Sequence, residues 1–103
     1  MALMQITIIP LGTATTGVGD YVADVERFLR DREVAHTLND MGTVIHGAPA
    51  ELLRLANEIH NLPFHRGAQR VVTHITLDDR RDKDRGLGEK QEAVLQRLAG
   101  DGK

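Results

Sequence analysis

Apolar and polar positions along the chain follow two periods. Near the N-terminus they alternate, with Met4, Ile6 and Ile8 on one side and Gln5, Thr7 and Ile9 on the other. A period of two predicts a strand over residues 3–9, ending at Pro10. Over residues 20–32 the spacing becomes helical. Val18, Val22, Val25 and Leu29 form one stripe, Tyr21 and Phe28 flank it, and Asp24, Glu26, Arg27 and Arg30 take the outer face. Residues 34–38 and 43–46 read as short strands joined by Asn39-Asp40-Met41-Gly42, a hairpin turn in which Gly42 can take positive φ. Pro49 suits the first turn of a second helix over residues 49–61, with Leu52, Leu55, Ala56 and Ile59 buried. Residues 61–69, with Pro63 and Gly67, read as a loop, and residues 71–77 as a fourth, β-branched strand. A third helix over residues 89–98 is expected to bury Val94, Leu95 and Leu98, with residues 101–103 fraying.

The order β-α-β-β-α-β-α predicts a single α+β domain over residues 1–103. Two crossovers flanking a hairpin make a ferredoxin-like βαββαβ sandwich with an added C-terminal helix. Right-handed crossovers set an antiparallel sheet in the order 4-1-3-2, with the first two helices on one face. That topology brings the end of the first strand (Gly12, Thr13), the hairpin (residues 39–43) and the start of the fourth strand (Arg70) to one edge. The second face of the sheet then carries Gln5, Thr7 and Thr37 among β-branched neighbours. Such a surface is partly apolar and partly hydroxyl-bearing, which suits association of the sheet with a second copy, a small polar ligand, or both.

Composition narrows the function classes. A chain of 103 residues with 41% hydrophobic and 27% charged residues fits one ordinary globular domain. The net charge of −2 lacks the basic face that nucleic acid requires. Tyr21, Phe28 and Phe64 are the only aromatics, too few for a base-stacking platform. With no cysteine there is no disulfide frame, thiolate metal site or thiol nucleophile. The apolar start has no basic flank and soon meets Pro10 and Gly12, so neither a signal peptide nor a membrane span is expected, and the cytoplasm is the default compartment.

Candidate chemistry is sparse. His36, His46, His60, His65 and His74 show no helical ligand spacing, so no metal is expected. The chain has no serine, and no threonine lies in a recognisable nucleophile motif. Residues 78–85 are all charged with both signs interleaved. Asp78 and Asp79 could split their pKa values as an acid and base, but Arg80 and Arg81 follow at once and favour the ionised pair. A structural or binding role, in an intersubunit salt-bridge network first and in ligand contact second, is the expectation for Asp78, Asp79, Arg80 and Arg81. Gly12-Thr13 and Gly42-Thr43 offer backbone N–H, C=O and hydroxyl groups in a small volume, which favours a polar small molecule over phosphate.

Three stretches carry a resemblance to a known family. Ile8-Ile9-Pro10-Leu11-Gly12-Thr13, Met41-Gly42-Thr43-Val44-Ile45 and the run from Arg70 through Asp78-Asp79-Arg80-Arg81-Asp82-Lys83 resemble the small thiamine-binding proteins of the YkoF-like superfamily. The likeness covers almost the whole chain in order. It implies a ferredoxin-like fold, dimers that assemble into tetramers through their sheets, and binding of thiamine or its hydroxymethylpyrimidine moiety, with no catalysis and no cofactor. Gly12, Thr13, Asn39, Met41, Gly42, Thr43 and Arg70 are the candidate ligand residues, with the Asn39 amide and threonine hydroxyls matching an aminopyrimidine and Asp40 the carboxylate nearest the hairpin. His46 and His74 depart from the family pattern, which is acidic and Thr respectively at these places. The competing readings are a regulatory module whose oligomer responds to a metabolite, and a small hydrolase on the same fold. The hydrolase would need an Arg in the phosphate-cradling loop, and residues 12–19 have none.

Overall fold

The computed structural model describes residues 1–83 and 86–101. Asp84 and Arg85 of the charged run, and Gly102 and Lys103 at the end of the chain, lie outside the described residues. The elements are β1 (Ala2–Leu11), α1 (Gly19–Asp31), β2 (His36–Asn39), β3 (Gly42–Gly47), α2 (Pro49–His65), β4 (Arg70–Asp78) and α3 (Glu89–Asp101). The four strands form one antiparallel sheet in the order β2-β3-β1-β4, which is the expected topology.

Alternation in β1 sets the two faces. Ala2, Met4, Ile6 and Ile8 are buried and turn towards α1 and α2, where Ile45, Val25, Leu29, Leu52, Leu55, Ala56 and Ile59 complete the core. The register places Ile75 beside Ile6 and Thr73 beside Ile8 on that same side. The other face carries Leu3, Gln5, Thr7 and Ile9 of β1, flanked by Val44 and His46 on β3 and by Val72, His74 and Thr76 on β4. Among the described residues, His46 Nε2 is buried there with no hydrogen-bond partner.

Both packed helices close with the same reciprocal C-terminal motif. In α1 the Val34 N–H reaches Leu29 O and the Glu33 N–H reaches Arg30 O, and in α2 Ala68 and Gly67 bond Pro63 O and Phe64 O in the same way. The left-handed position is filled by Gly67 at φ +95° in α2 but by Glu33 at φ +55° in α1.

Three expectations about the elements change. β1 continues through Pro10 to Leu11, because Pro10 keeps its place opposite Val71 in the β4 register. Helix α2 runs past Asn61 to His65, because Pro63 sits in its last turn and is fully buried, so packing compensates the backbone bond that proline cannot make. Val94, Leu95 and Leu98 of α3 are 44%, 60% and 59% exposed rather than buried. The stripe forms as the spacing predicts, yet it stays exposed among the described residues. Among the described residues, no helix is long and apolar enough to cross a membrane.

Candidate functional site

The site arises from a mismatch in strand length. Pairing of β1 with β3 ends at Ile6 opposite Thr43, whereas pairing with β4 continues to Leu11 opposite Arg70. The end of β1 therefore projects beyond the hairpin and leaves a notch on its β3 side. Ile6, Ile8, Val22, Val25 and Ile59 make the notch apolar, and the turn residues Asn39, Asp40, Met41 and Gly42 wall it together with Thr43. Its volume is about 320 Å³, which suits a small heteroaromatic ligand.

Close approach of the turn to β1 depends on Gly42. A Cβ there would stand 2.6 Å from Thr7 Oγ1 and 3.1 Å from the Ile6 carbonyl oxygen. Thr7 Oγ1 in turn donates to Met41 O at 2.8 Å, tying the turn to the strand. Thr43 is the buried polar residue of the site, 4% exposed, and its hydroxyl donates to Glu26 Oε2 at 3.1 Å. Glu26 Oε1 lies 3.5 Å from His36 Nε2, and His36 Nδ1 donates to the Val34 carbonyl at 2.6 Å. Helix α1 thus reaches the hairpin through a partly buried carboxylate.

A second, more open hollow of about 810 Å³ adjoins the notch at the same end of the sheet. Gly12, Thr13, Asp20, Tyr21, Arg66 and Arg70 contribute to its polar lining. Its loop is knitted internally: Thr13 Oγ1 donates to Thr15 O at 2.9 Å, and the Gly17 N–H donates to Thr15 Oγ1 at 2.8 Å. Arg66 is held by Asp24, which also accepts from Arg27 at 2.7 Å. The hydrogen bond from Arg66, together with that from Arg27, holds the Asp24 carboxyl below its ordinary pKa against the opposing effect of desolvation. Among the described residues, no acidic side chain forms a salt bridge with Arg70.

The candidate residues therefore divide. Asn39, Met41, Gly42 and Thr43 meet at the notch, while Gly12, Thr13 and Arg70 line the neighbouring hollow, and the loop between contributes Val18 to the first and Gly17 to the second. Asp78 lies at the far end of β4, opposite Leu3. Beyond it Arg81 donates to Asp79 at 2.9 Å and Arg80 to Asp82 at 2.7 Å, pairs made within the chain that raise both arginine pKa values.

Sequence reasoning assigned Glu26 and Asp24 to the outer face of α1, and the structure corrects both. Their side chains are only 23% and 22% exposed, Glu26 turning to Thr43 and His36 and Asp24 to Arg66. The available signal was their place beside Val25, on the flanks of the apolar stripe. Periodicity marks such flanks as boundary positions without naming the neighbour. Among the described residues, no group of three or more His, Cys, Asp or Glu is placed to hold a metal ion.

Comparison with known proteins agrees with this architecture. The chain is 41% identical over 102 residues to the UPF0045 protein YqgV of Bacillus subtilis, covering 95% of this chain and 98% of that one. It is 35% identical over 99 residues to a UPF0045 protein of Methanothermobacter thermautotrophicus, covering 95% and 100%. The solved structure of the hypothetical protein MJ1052 from Methanocaldococcus jannaschii superposes with a TM-score of 0.79 at 29% identity, over 90% of this chain and 94% of that one. A Thermotoga maritima structure whose name refers to thiamine biosynthesis and salvage shares the fold, with a TM-score of 0.74 at 13% identity over 90% and 97%. Matched by the family from residue 4 to residue 95, the chain belongs to the thiamine-binding protein family.

Proposed function

We propose that the protein binds thiamine or its hydroxymethylpyrimidine moiety, without catalysis, in the notch beside the β2-β3 turn, and that it does so as a cytoplasmic homo-oligomer. The observation that carries this reading is Thr43, a buried hydroxyl held by Glu26 at the wall of an otherwise apolar hollow, in a chain of the thiamine-binding family. A flat ring fills the apolar part, and polar groups at one wall orient it. Gly12, Thr13 and Arg70 stand next door, where the rest of a longer ligand would extend.

Self-association is supported by two surfaces with exposed apolar side chains. The second face of the sheet exposes Ile9 and Leu11, and α3 exposes Val94, Leu95 and Leu98. A groove lined by Leu3, Val44, Leu87, Val94 and Leu95 joins these surfaces, so a second copy covering it would bury both. The bare α3 stripe also supports the second reading, an interaction module that docks on another protein.

Isothermal titration of the full chain with thiamine and with hydroxymethylpyrimidine tests the binding claim, with sedimentation velocity run on the same sample. Saturable heat with both compounds and a sedimenting species larger than the monomer are expected. No heat with either compound overturns the binding reading. A monomer at every concentration removes the oligomer and favours a partner other than self.

A further inference from the structure

We infer that the notch selects for ligands that present an N–H donor, and that Glu26 sets this preference by fixing which way the Thr43 hydroxyl points. The inference rests on the notch being the pyrimidine site. A threonine hydroxyl has one proton and two lone pairs, whereas an ionised carboxylate can only accept. The proton of Thr43 is therefore committed to Glu26 Oε2, 3.1 Å away, and what remains for a ligand is a lone pair. The hydrogen bond to Glu26 thus turns the Thr43 hydroxyl into an acceptor.

The Glu26 carboxylate lies between Thr43 and His36. One carboxylate oxygen takes the Thr43 proton and the other faces His36 Nε2 at 3.5 Å. The imidazole is anchored from its far side by the bond from Nδ1 to Val34 O. An exocyclic amine on a flat heteroaromatic ring supplies an N–H group to such an acceptor. A carbonyl oxygen at the same ring position meets it lone pair to lone pair and leaves a buried acceptor unpaired. The site is accordingly an aminopyrimidine site that rejects the oxo isostere, with Glu26 as a positioning residue that touches no ligand atom.

The test compares hydroxymethylpyrimidine with its oxo counterpart, in which a carbonyl oxygen replaces the ring amine, by titration into the full chain and into Glu26→Gln and Thr43→Val. The wild type is expected to prefer the amine by about tenfold or more. In Glu26→Gln the side-chain amide can donate to Thr43 Oγ1 and release the hydroxyl proton, so the ratio of the two affinities collapses towards unity. Thr43→Val keeps the shape, loses the acceptor, and is expected to lose the preference as well, while Thr43→Ser retains it. A merely structural role for Glu26 would weaken both compounds equally and leave the ratio unchanged, which overturns the inference. Equal wild-type affinity for the two compounds overturns the inference alone and leaves the pyrimidine reading standing, whereas wild-type binding of neither removes both.

Discussion

Replacing Gly42 with alanine probes the contact that builds the notch. The new Cβ would lie 2.6 Å from Thr7 Oγ1, about 0.8 Å inside the 3.4 Å at which ordinary contact begins, and 3.1 Å from the Ile6 carbonyl oxygen, which the strand holds in place. The glycine also sits at φ +156°, where L side chains are rarely found. Overpacking and backbone strain of this kind cost about 2–4 kcal/mol together. In a domain of this size each kcal/mol lowers the melting temperature by about 5 °C, so the expected fall is roughly 10–20 °C. Thermal and urea unfolding followed by circular dichroism read the loss. Thr7→Ala supplies the internal control. Alone it removes the bond to Met41 O, worth about 0.5–1.5 kcal/mol. Combined with Gly42→Ala it also removes the atom struck first, so the double variant should be more stable than the sum of the singles requires, by about 1 kcal/mol. A Gly42→Ala protein that melts with the wild type, or strict additivity in the cycle, would refute the steric account of how the turn meets β1.

Two further expectations follow from the helices. Glu33 occupies the left-handed position that α2 fills with Gly67, so Glu33→Gly should stabilise the protein by about 0.5–1 kcal/mol, the relief of strain exceeding the added freedom of the unfolded chain; an unchanged or lower urea midpoint would contradict this. Asp24 titrates below its ordinary value of 3.8 because Arg66, and then Arg27, hydrogen-bond its charged form. A carboxyl depressed in the folded state stabilises above its unfolded pKa and loses that contribution as pH falls through the folded value. Asp24→Asn should therefore be less stable than wild type at neutral pH and converge with it on acidification, and a gap that stays constant across the acid range would show that Asp24 acts by packing alone.

Much of the fold is legible in local patterns. Alternation in β1 gives Met4, Ile6 and Ile8 as the buried set because a strand's side chains reverse at every residue, and the helical spacing of Leu52, Leu55, Ala56 and Ile59 does the same for α2. The sheet order follows from the succession of elements and the handedness of the crossovers. Local patterns fail where the outcome depends on what lies opposite. The α3 stripe also keeps helical spacing, but periodicity reports which residues share a face, not whether anything covers it. Pro63 reads as a breaker, and only its burial keeps α2 intact through His65.

The site divides along the same line. The residue types at the corners, Gly12-Thr13 and Gly42-Thr43, were decided by the sequence, and with them the polar chemistry available there. Tertiary structure decided that they face two hollows, since β1 continues five residues beyond its last pairing with β3 and the loop to α1 passes between them. It also decided that Glu26 points inward, because the packing of α1 over the sheet turns the flank of its stripe towards the hairpin. Strand register and helix orientation are settled by packing over the whole core, and a hydrogen bond between residues 17 positions apart leaves no trace in the spacing of either.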